Sequence, residues 1–136
     1  MVLVDTSVLI DGLKKKRNEK VLLLEQLIEA NAPLGISVFT YHEILQGACT
    51  ISEFNELENY FSTQKIFFLP NSPKAYSQSA KLFFELRRQG ITVRNTIDVL
   101  IAFTAIYNKI PLLHNDRDFD FIASKIPDLK IFMNIQ

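Results

Sequence analysis

The stretch Val2-Leu3-Val4-Asp5-Thr6-Ser7 begins with three apolar residues and ends with an acid and two hydroxyl residues. A short apolar run is typical of a buried strand, and Asp, Thr and Ser are residue types that cap the start of a helix. The stretch therefore predicts a strand that leads directly into a helix ending near Leu13. In a parallel α/β sheet, such a junction lies at the carboxyl edge of the strands, where these folds keep their sites.

The same alternation of strand and helix recurs along the whole chain. Further strands are predicted over residues 35–39, 66–69, 111–114 and 130–135, and the helices between them are predicted to start at Asn18, Thr40, Ser52, Ser72, Thr96 and Asp116. Alternating strands and helices favour an α/β fold with a mostly parallel, doubly wound sheet. Pro and Gly are scarce and mark joints rather than a linker, so residues 1–136 are predicted to form a single domain.

Composition excludes several classes of protein. Lys plus Arg equals Asp plus Glu at 15 each, which argues against nucleic-acid binding through bulk charge alone but leaves room for a local basic patch. Cys49 is the only cysteine, so no internal disulfide can form. Asp5 interrupts the first apolar run, and no run approaches the roughly 20 apolar residues of a membrane span. We expect a soluble, cytoplasmic protein.

Four acidic residues are predicted to meet at one edge of the sheet. They are Asp5, Glu43, Asp98 and Asp116, each near a strand end or a helix start. Carboxylates brought together in this way repel one another and raise each other's pKa values. A divalent cation with oxygen ligands relieves the repulsion, and ligands that are all carboxylates suit Mg²⁺ or Mn²⁺ better than zinc. The pattern therefore predicts metal-dependent chemistry, most often on phosphate esters.

Each of these acids also has an ordinary structural explanation. Asp5 is a good helix N-cap, Thr40-x-x-Glu43 matches a capping box, and Asp98 in a first turn favours the helix dipole. Asp116 follows a strand in a turn, where Asp is common. Only the convergence of all four at one sheet edge distinguishes a site from a set of unrelated caps.

Four motifs resemble those of PIN domains, in order and over essentially the whole chain. They are Asp5-Thr6-Ser7-Val8-Leu9-Ile10, Glu43-Ile44-Leu45-Gln46-Gly47, Asp98-Val99-Leu100-Ile101-Ala102 and Asn115-Asp116-Arg117-Asp118-Phe119. Within that family, the chain length is similar to that of VapC-type toxins of toxin–antitoxin pairs. The resemblance implies a three-layer fold with a central five-stranded, mostly parallel sheet flanked by helices. It also implies an Mg²⁺- or Mn²⁺-dependent ribonuclease that acts on RNA, a small antitoxin partner and commonly a homodimer.

The site roles follow from the motifs and their resemblance. We expect Asp5, Asp98 and Asp116 to bind the cation, with Glu43 as a further ligand or as the group that orients water. Secondary contributions are predicted for residues beside these acids, namely Thr6, Ser7, His114 and Asp118. Thr6 or Ser7 can orient Asp5, and Asp118 precedes Phe119 as in the family pattern.

His114 departs from the family pattern, which commonly has Thr or Ser two residues before the fourth acid. An imidazole is bulkier than a hydroxyl and titrates near neutrality. Two interpretations remain open: a strand-end His satisfied by its neighbours, which is favoured, or a group that takes part in the chemistry.

Two basic clusters flank these acids in the sequence. Lys14 to Arg17 follow Asp5, and Arg87, Arg88 and Arg94 precede Asp98. They can serve solubility, contact RNA phosphates, or contact an acidic partner.

Two other functions are compatible with the same pattern. One is a non-catalytic module that binds RNA or protein, for which metal binding without turnover would be the sign. The other is a phosphotransferase with Asp5 as nucleophile, which would leave a covalent aspartyl-phosphate.

Overall fold

A parallel sheet forms the centre of the computed structural model, which describes residues 1–134. Its strands are β1 (Val2–Val4), β2 (Leu34–Ser37), β3 (Lys65–Phe67) and β4 (Leu112–Leu113). They lie in the order β3-β2-β1-β4, and every neighbouring pair is parallel. The α/β class predicted from the alternating pattern is confirmed.

Seven helices flank the sheet within this part of the chain. They are α1 (Thr6–Leu13), α2 (Glu19–Glu29), α3 (Val38–Gln46), α4 (Ile51–Ser62), α5 (Pro73–Arg88), α6 (Thr96–Asn108) and α7 (Arg117–Lys125). Each is preceded by a side chain whose oxygen accepts a hydrogen bond from the first turn. Such caps satisfy backbone N–H groups that have no partner within the helix. None of these helices is both long and apolar enough to cross a bilayer, as judged over residues 1–134.

The sheet has fewer strands than the predicted five. The segment predicted as the last strand, 130–135, makes only one parallel bridge, from Ile131 to Leu112. Its backbone bonds are from Leu112 N to Lys130 O at 2.9 Å and from Phe132 N to Leu112 O at 2.8 Å. Because β4 is two residues long, its outer edge offers little for a fifth strand to pair with. Residue 135 lies outside the described residues.

Three helix starts differ from the predicted ones. The cap of α3 is Ser37 rather than Thr40, because the Ser37 hydroxyl accepts a hydrogen bond from Thr40 N at 3.0 Å. The helix therefore begins at Val38, and the predicted capping box is wrong. Asn95 takes the capping role predicted for Thr96, and Thr50 takes the one predicted for Ser52.

The core occupies both faces of the sheet. In β1, Leu3 packs with residues of α5, α6 and α7 on one face, while Val2 and Val4 pack with α1 and α2 on the other. Leu112 and Leu113 divide between the same two clusters. Successive strand residues point to opposite faces, so a strand buried on both faces needs the unbroken apolar run seen at the start of the chain. The result is the three-layer arrangement expected from the sequence.

Candidate metal-binding active site

The carboxyl edge of the sheet forms one acidic pocket. Its volume is about 430 Å³, and its lining includes Asp5, Glu43, Asp98, Asp116 and Asp118. Asp5 follows β1, Asp116 follows β4, and Glu43 and Asp98 reach the pocket from α3 and α6. The structure thus brings together the four acids singled out in the sequence, and it adds Asp118.

Asp5 is buried and only partly satisfied. Its Oδ2 accepts hydrogen bonds from the Ser7 backbone N–H at 3.0 Å and from the Ser7 hydroxyl at 2.6 Å. Its Oδ1 is buried and has no hydrogen-bond partner. Burial raises the pKa of Asp5 to about 6; the Ser7 hydrogen bonds oppose this shift, and the charge of Glu43 adds to it. A buried carboxylate oxygen without a donor is costly, and a cation would satisfy it.

Asp98 lies in the first turn of α6 and faces the other acids. Desolvation makes the largest contribution and the charges of Asp5, Asp116, Glu43 and Asp118 follow in that order; together they raise the pKa of its carboxyl to about 7. Like charges held this close disfavour ionisation. Strongly shifted carboxyls in a cleft are a mark of functional sites.

Asp98, Asp116 and Asp118 form the tightest group of acids. Each offers a carboxylate oxygen, and these oxygens all lie within 4.8 Å of one another. Asp116 Oδ1 also accepts the Asp118 backbone N–H at 2.9 Å, so one residue both caps α7 and contributes to the pocket. The sequence predicted Asp5, Asp98 and Asp116 as the cation ligands. In the structure, Asp118 takes the place of Asp5 in this group, and Asp5 lines the same pocket. An all-oxygen donor set of this kind fits Mg²⁺ or Mn²⁺.

Glu43 is held by a chain of hydroxyl groups. The Thr6 hydroxyl donates to Glu43 Oε1 at 2.8 Å and lies 3.2 Å from the Thr40 hydroxyl. Thr40 is fully buried, and its hydroxyl lies 3.3 Å from that of Ser37. Thr40 thus helps to orient Glu43 from within α3, a role that the sequence did not suggest. Of the two hydroxyl residues expected to orient Asp5, Ser7 contacts Asp5, whereas Thr6 contacts Glu43 instead.

His114 is buried next to Asp116 and is not among the residues that line the acidic pocket. It is 2% exposed, its Nδ1 accepts the Asp116 backbone N–H at 3.1 Å, and its ring packs against Phe119 with centroids 5.1 Å apart. Burial lowers the pKa of His114, and the nearby Asp120 carboxylate opposes that shift. The Nε2 atom lies 3.2 Å from Asp120 Oδ1, at an angle that makes no regular hydrogen bond. The neighbours therefore satisfy this strand-end His only in part: Nδ1 has a hydrogen-bond partner, whereas buried Nε2 has only the contact with Asp120.

A polar network beside the pocket was not anticipated from the sequence. Asp11 accepts hydrogen bonds from Asn18 Nδ2 and Asn115 Nδ2, both at 3.1 Å. Asn115 N donates in turn to the Ser7 hydroxyl at 2.9 Å. The network connects α1 to the loop that carries Asp116, and it lowers the pKa of Asp11, chiefly through the Asn115 bond. Helical spacing offered one signal, because residues 7 and 11 share a face of α1.

The three arginines of the second basic cluster lie in two places. Arg94 lines the acidic pocket, and its Nε lies 3.9 Å from Asp118 Oδ2. Arg87 and Arg88 instead extend over the rings of Phe83 and Phe84 on α5.

Lys15, Lys16 and Arg17 border a second cleft, of about 520 Å³, between α1, α2 and α4. The apolar part of its lining is Val4, Leu9, Leu13, Val21, Leu24, Ile28, Leu34, Ile36, Tyr60 and Phe61. Leu24 and Leu27 of α2 are both buried in the core of the protein and offer little free surface to a partner. The exposed apolar residue of α2 beside the cleft is Ile28, at 55% exposure.

Comparison with known proteins identifies relatives across nearly the whole chain. It is 28% identical over 124 residues to the VapC ribonuclease Mb1587 of Mycobacterium bovis, which covers 90% of this chain and 92% of that protein. The same values hold for ribonuclease VapC11 of Mycobacterium tuberculosis.

Solved structures share the fold. A chain of VapBC2 from Rickettsia felis, bound to a promoter DNA fragment, superposes with a TM-score of 0.73 at 23% identity over 100% of both chains. A chain of DNA-bound VapBC from Salmonella typhimurium gives a TM-score of 0.74 at 22% identity, with 96% of each chain covered. The PIN domain model matches residues 2–125. The chain therefore belongs to the PIN domain family.

Proposed function

We propose that this protein is an Mg²⁺- or Mn²⁺-dependent endoribonuclease, the toxin of a type II toxin–antitoxin pair. The observation that carries the proposal is the pocket in which five carboxylates meet and in which Asp5 Oδ1 has no hydrogen-bond partner. Membership of the PIN family and similarity to proteins named VapC ribonucleases support the same function.

The residues divide into cation ligands and groups that orient them. We assign cation binding to Asp98, Asp116 and Asp118, with Asp5 Oδ1 on the pocket wall as a further donor. When bound, a divalent cation acidifies water and offsets the charge that develops on the phosphate. Glu43, oriented by Thr6, is assigned to position the attacking water and accept its proton. Ser7 fixes the rotamer of Asp5 through two hydrogen bonds.

The test compares RNA cleavage in Mn²⁺, in EDTA and after the substitution Asp5→Asn. Asn is also a good N-cap, so α1 should remain folded while one anionic donor is lost. Asp128→Asn, at an exposed acid that does not line the pocket, is the matched control. We expect cleavage by the parent and the control in Mn²⁺ only, with at least a 100-fold loss in Asp5→Asn. Cation binding without cleavage would favour a non-catalytic module, and a covalent phosphoryl-protein would favour the phosphotransferase.

A small protein partner is the second part of the proposal. The structures that share the fold are chains of VapBC complexes, a family of toxin–antitoxin systems. The cleft between α1, α2 and α4 has an apolar lining bordered by Lys15, Lys16, Arg17 and Glu25. Lys16 pairs with Asp11 and Arg17 pairs with Glu25. Apolar walls suit an amphipathic segment, and the exposed Lys16 and Arg17 can exchange their present ion pairs for acidic residues of a partner. We propose that the antitoxin binds in this cleft. We also expect a cytoplasmic protein that forms a homodimer, and light scattering of the purified protein would test the dimer.

The cleft assignment is tested by co-expression with the small protein encoded beside this one. Ile28→Glu introduces a charge at the cleft wall, whereas Ile51→Glu does so at an exposed position of α4, 76% exposed, away from the cleft. Loss of the complex in the Ile28→Glu variant but not in Ile51→Glu supports binding of the antitoxin in the cleft. Equal retention in both variants contradicts it, and the absence of any small neighbouring gene argues against a toxin role.

A further inference from the structure

Arg94 is the only basic side chain that lines the acidic pocket among residues 1–134. It lies in the loop between α5 and α6, one residue before the α6 cap Asn95. The rest of the polar lining consists of the five acids, Thr6, Ser7 and Asn95. An RNA phosphate that approaches these carboxylates is repelled by all of them, so the position of a single cation on the wall affects how the substrate is oriented.

The contact that Arg94 makes in the protein is weak. Its Nε lies 3.9 Å from Asp118 Oδ2, and the Arg94 side chain is 74% exposed while that of Asp118 is 8% exposed. An ion pair with a long N–O distance and a solvent-exposed cation contributes little to stability. Asp118 also belongs to the group of three acids whose oxygens can share a cation. A cation bound by these acids would compete with Arg94 for the Asp118 carboxylate, which would leave the guanidinium available to another ligand.

We infer that Arg94 binds a phosphate of the RNA next to the bond that is cleaved. This inference rests on the proposed ribonuclease function. A guanidinium presents a planar set of N–H donors that matches phosphate oxygens in a bidentate manner. The position of Arg94 at the pocket wall lets it reach a phosphate beside the acids without being one of the cation ligands.

Removing Arg94 has opposite effects on the two ligands of the pocket. RNA loses a charged hydrogen-bond donor, so its binding weakens. A divalent cation loses a like-charged neighbour of Asp118, so its binding becomes tighter, by about threefold for charges several ångströms apart in a solvated site. Loss of a residue with a purely structural role would not weaken RNA binding and at the same time strengthen cation binding.

The experiment measures RNA binding in the Asp5→Asn background, where cleavage is blocked, with a fluorescein-labelled 20-nucleotide oligouridine in Mn²⁺. The variants are Arg94→Ala, Arg94→Lys and the control Arg88→Ala, whose side chain is 65% exposed and pairs with Glu85 on α5. We expect Arg94→Ala to weaken RNA binding about 10-fold or more and to reduce the slope of log affinity against log salt by about 0.7. Lys should restore part of the affinity, and Arg88→Ala should change it less than twofold.

Calorimetric titration with Mn²⁺ in the absence of RNA completes the test. Tighter Mn²⁺ binding by Arg94→Ala, together with weaker RNA binding, supports the inference. Equal RNA affinity and equal salt slope in Arg94→Ala and Arg88→Ala overturn it, while cleavage by the parent leaves the ribonuclease proposal intact. If the parent neither binds nor cleaves RNA, the proposed function fails and the inference fails with it.

Discussion

His114 orients the backbone of Asp116, because its Nδ1 accepts a hydrogen bond from the Asp116 backbone N–H at 3.1 Å. A ring nitrogen that accepts a hydrogen bond carries no proton, so this geometry belongs to the neutral imidazole. The lowered pKa of His114, caused by burial, favours the same form. Asp116 in turn caps α7 through Oδ1, so the ring helps to fix both the start of α7 and one of the proposed cation ligands.

His114→Thr should preserve the site at a cost in stability. A threonine hydroxyl can accept a hydrogen bond from the N–H two residues later, so Mn²⁺-dependent activity should be retained. The space left beside Phe119 should lower the free energy of unfolding by about 1 to 3 kcal/mol. The matched control is His114→Val, which has the same shape as Thr but no acceptor. Weaker Mn²⁺ binding in the Val variant only is the expected result, and a folded but inactive Thr variant would make His114 a participant in the chemistry.

Ser7→Ala should weaken cation binding. The variant loses the 2.6 Å bond from the Ser7 hydroxyl to Asp5 Oδ2, a charge-assisted contact of about 1.5 to 3 kcal/mol. Because that bond lowers the pKa of Asp5, its loss should raise the pKa further and shift the pH dependence of Mn²⁺ affinity upward. Calorimetry between pH 6 and pH 8 would measure the shift. An unchanged profile would mean that Ser7 has no influence on Asp5.

The metal-free protein should gain stability from Asp98→Asn at alkaline pH. The folded-state pKa of Asp98 is raised from 3.8 to about 7, so its stabilising contribution is complete below pH 3.8 and is lost as pH rises through about 7. After an allowance for solvent screening, the variant should exceed the parent by about 1 to 2 kcal/mol at pH 8. The difference should shrink toward pH 4. Urea unfolding at several pH values in EDTA tests this, and a difference that grows at low pH would reverse the sign and reject it.

Mg²⁺ or Mn²⁺ should raise the melting temperature, and EDTA should reverse the effect. A ligand that binds only the folded state stabilises it by mass action. The response should increase between pH 6 and pH 8, because Asp5 and Asp98, with pKa values raised to about 6 and about 7, must ionise to bind a cation. Asp116→Asn and Asp118→Asn should reduce the response, while Asp128→Asn should not. If every variant responds like the parent, the cation binds elsewhere.

The parts of the site that could be predicted from the sequence are those governed by local chemistry and parallel topology. Asp5 and Asp116 follow apolar strands and cap the next helices, and parallel strands bring such positions to one edge. Asp98 could be placed from its position at the start of an apolar helix.

What could not be predicted depends on tertiary contacts. The start of α3 is set by Ser37, a fully buried hydroxyl, whereas Thr40 gave an equally good local pattern. The network of Asp11 with Asn115 joins residues 104 positions apart. The single bridge made by the predicted fifth strand reflects the two-residue length of β4. The inclusion of Asp118 in the group of three acids depends on how α7 begins.

We propose that the acids at the sheet edge bind a cation on which RNA cleavage depends. The most direct measurement is single-turnover cleavage of an end-labelled RNA in saturating Mn²⁺ at pH 7.5, by the parent and by Asp98→Asn, with thermal unfolding of both in EDTA. We predict that Asp98→Asn melts at the same or a higher temperature and cleaves at least 100-fold more slowly. Cleavage at the parental rate by a folded Asp98→Asn protein would contradict it.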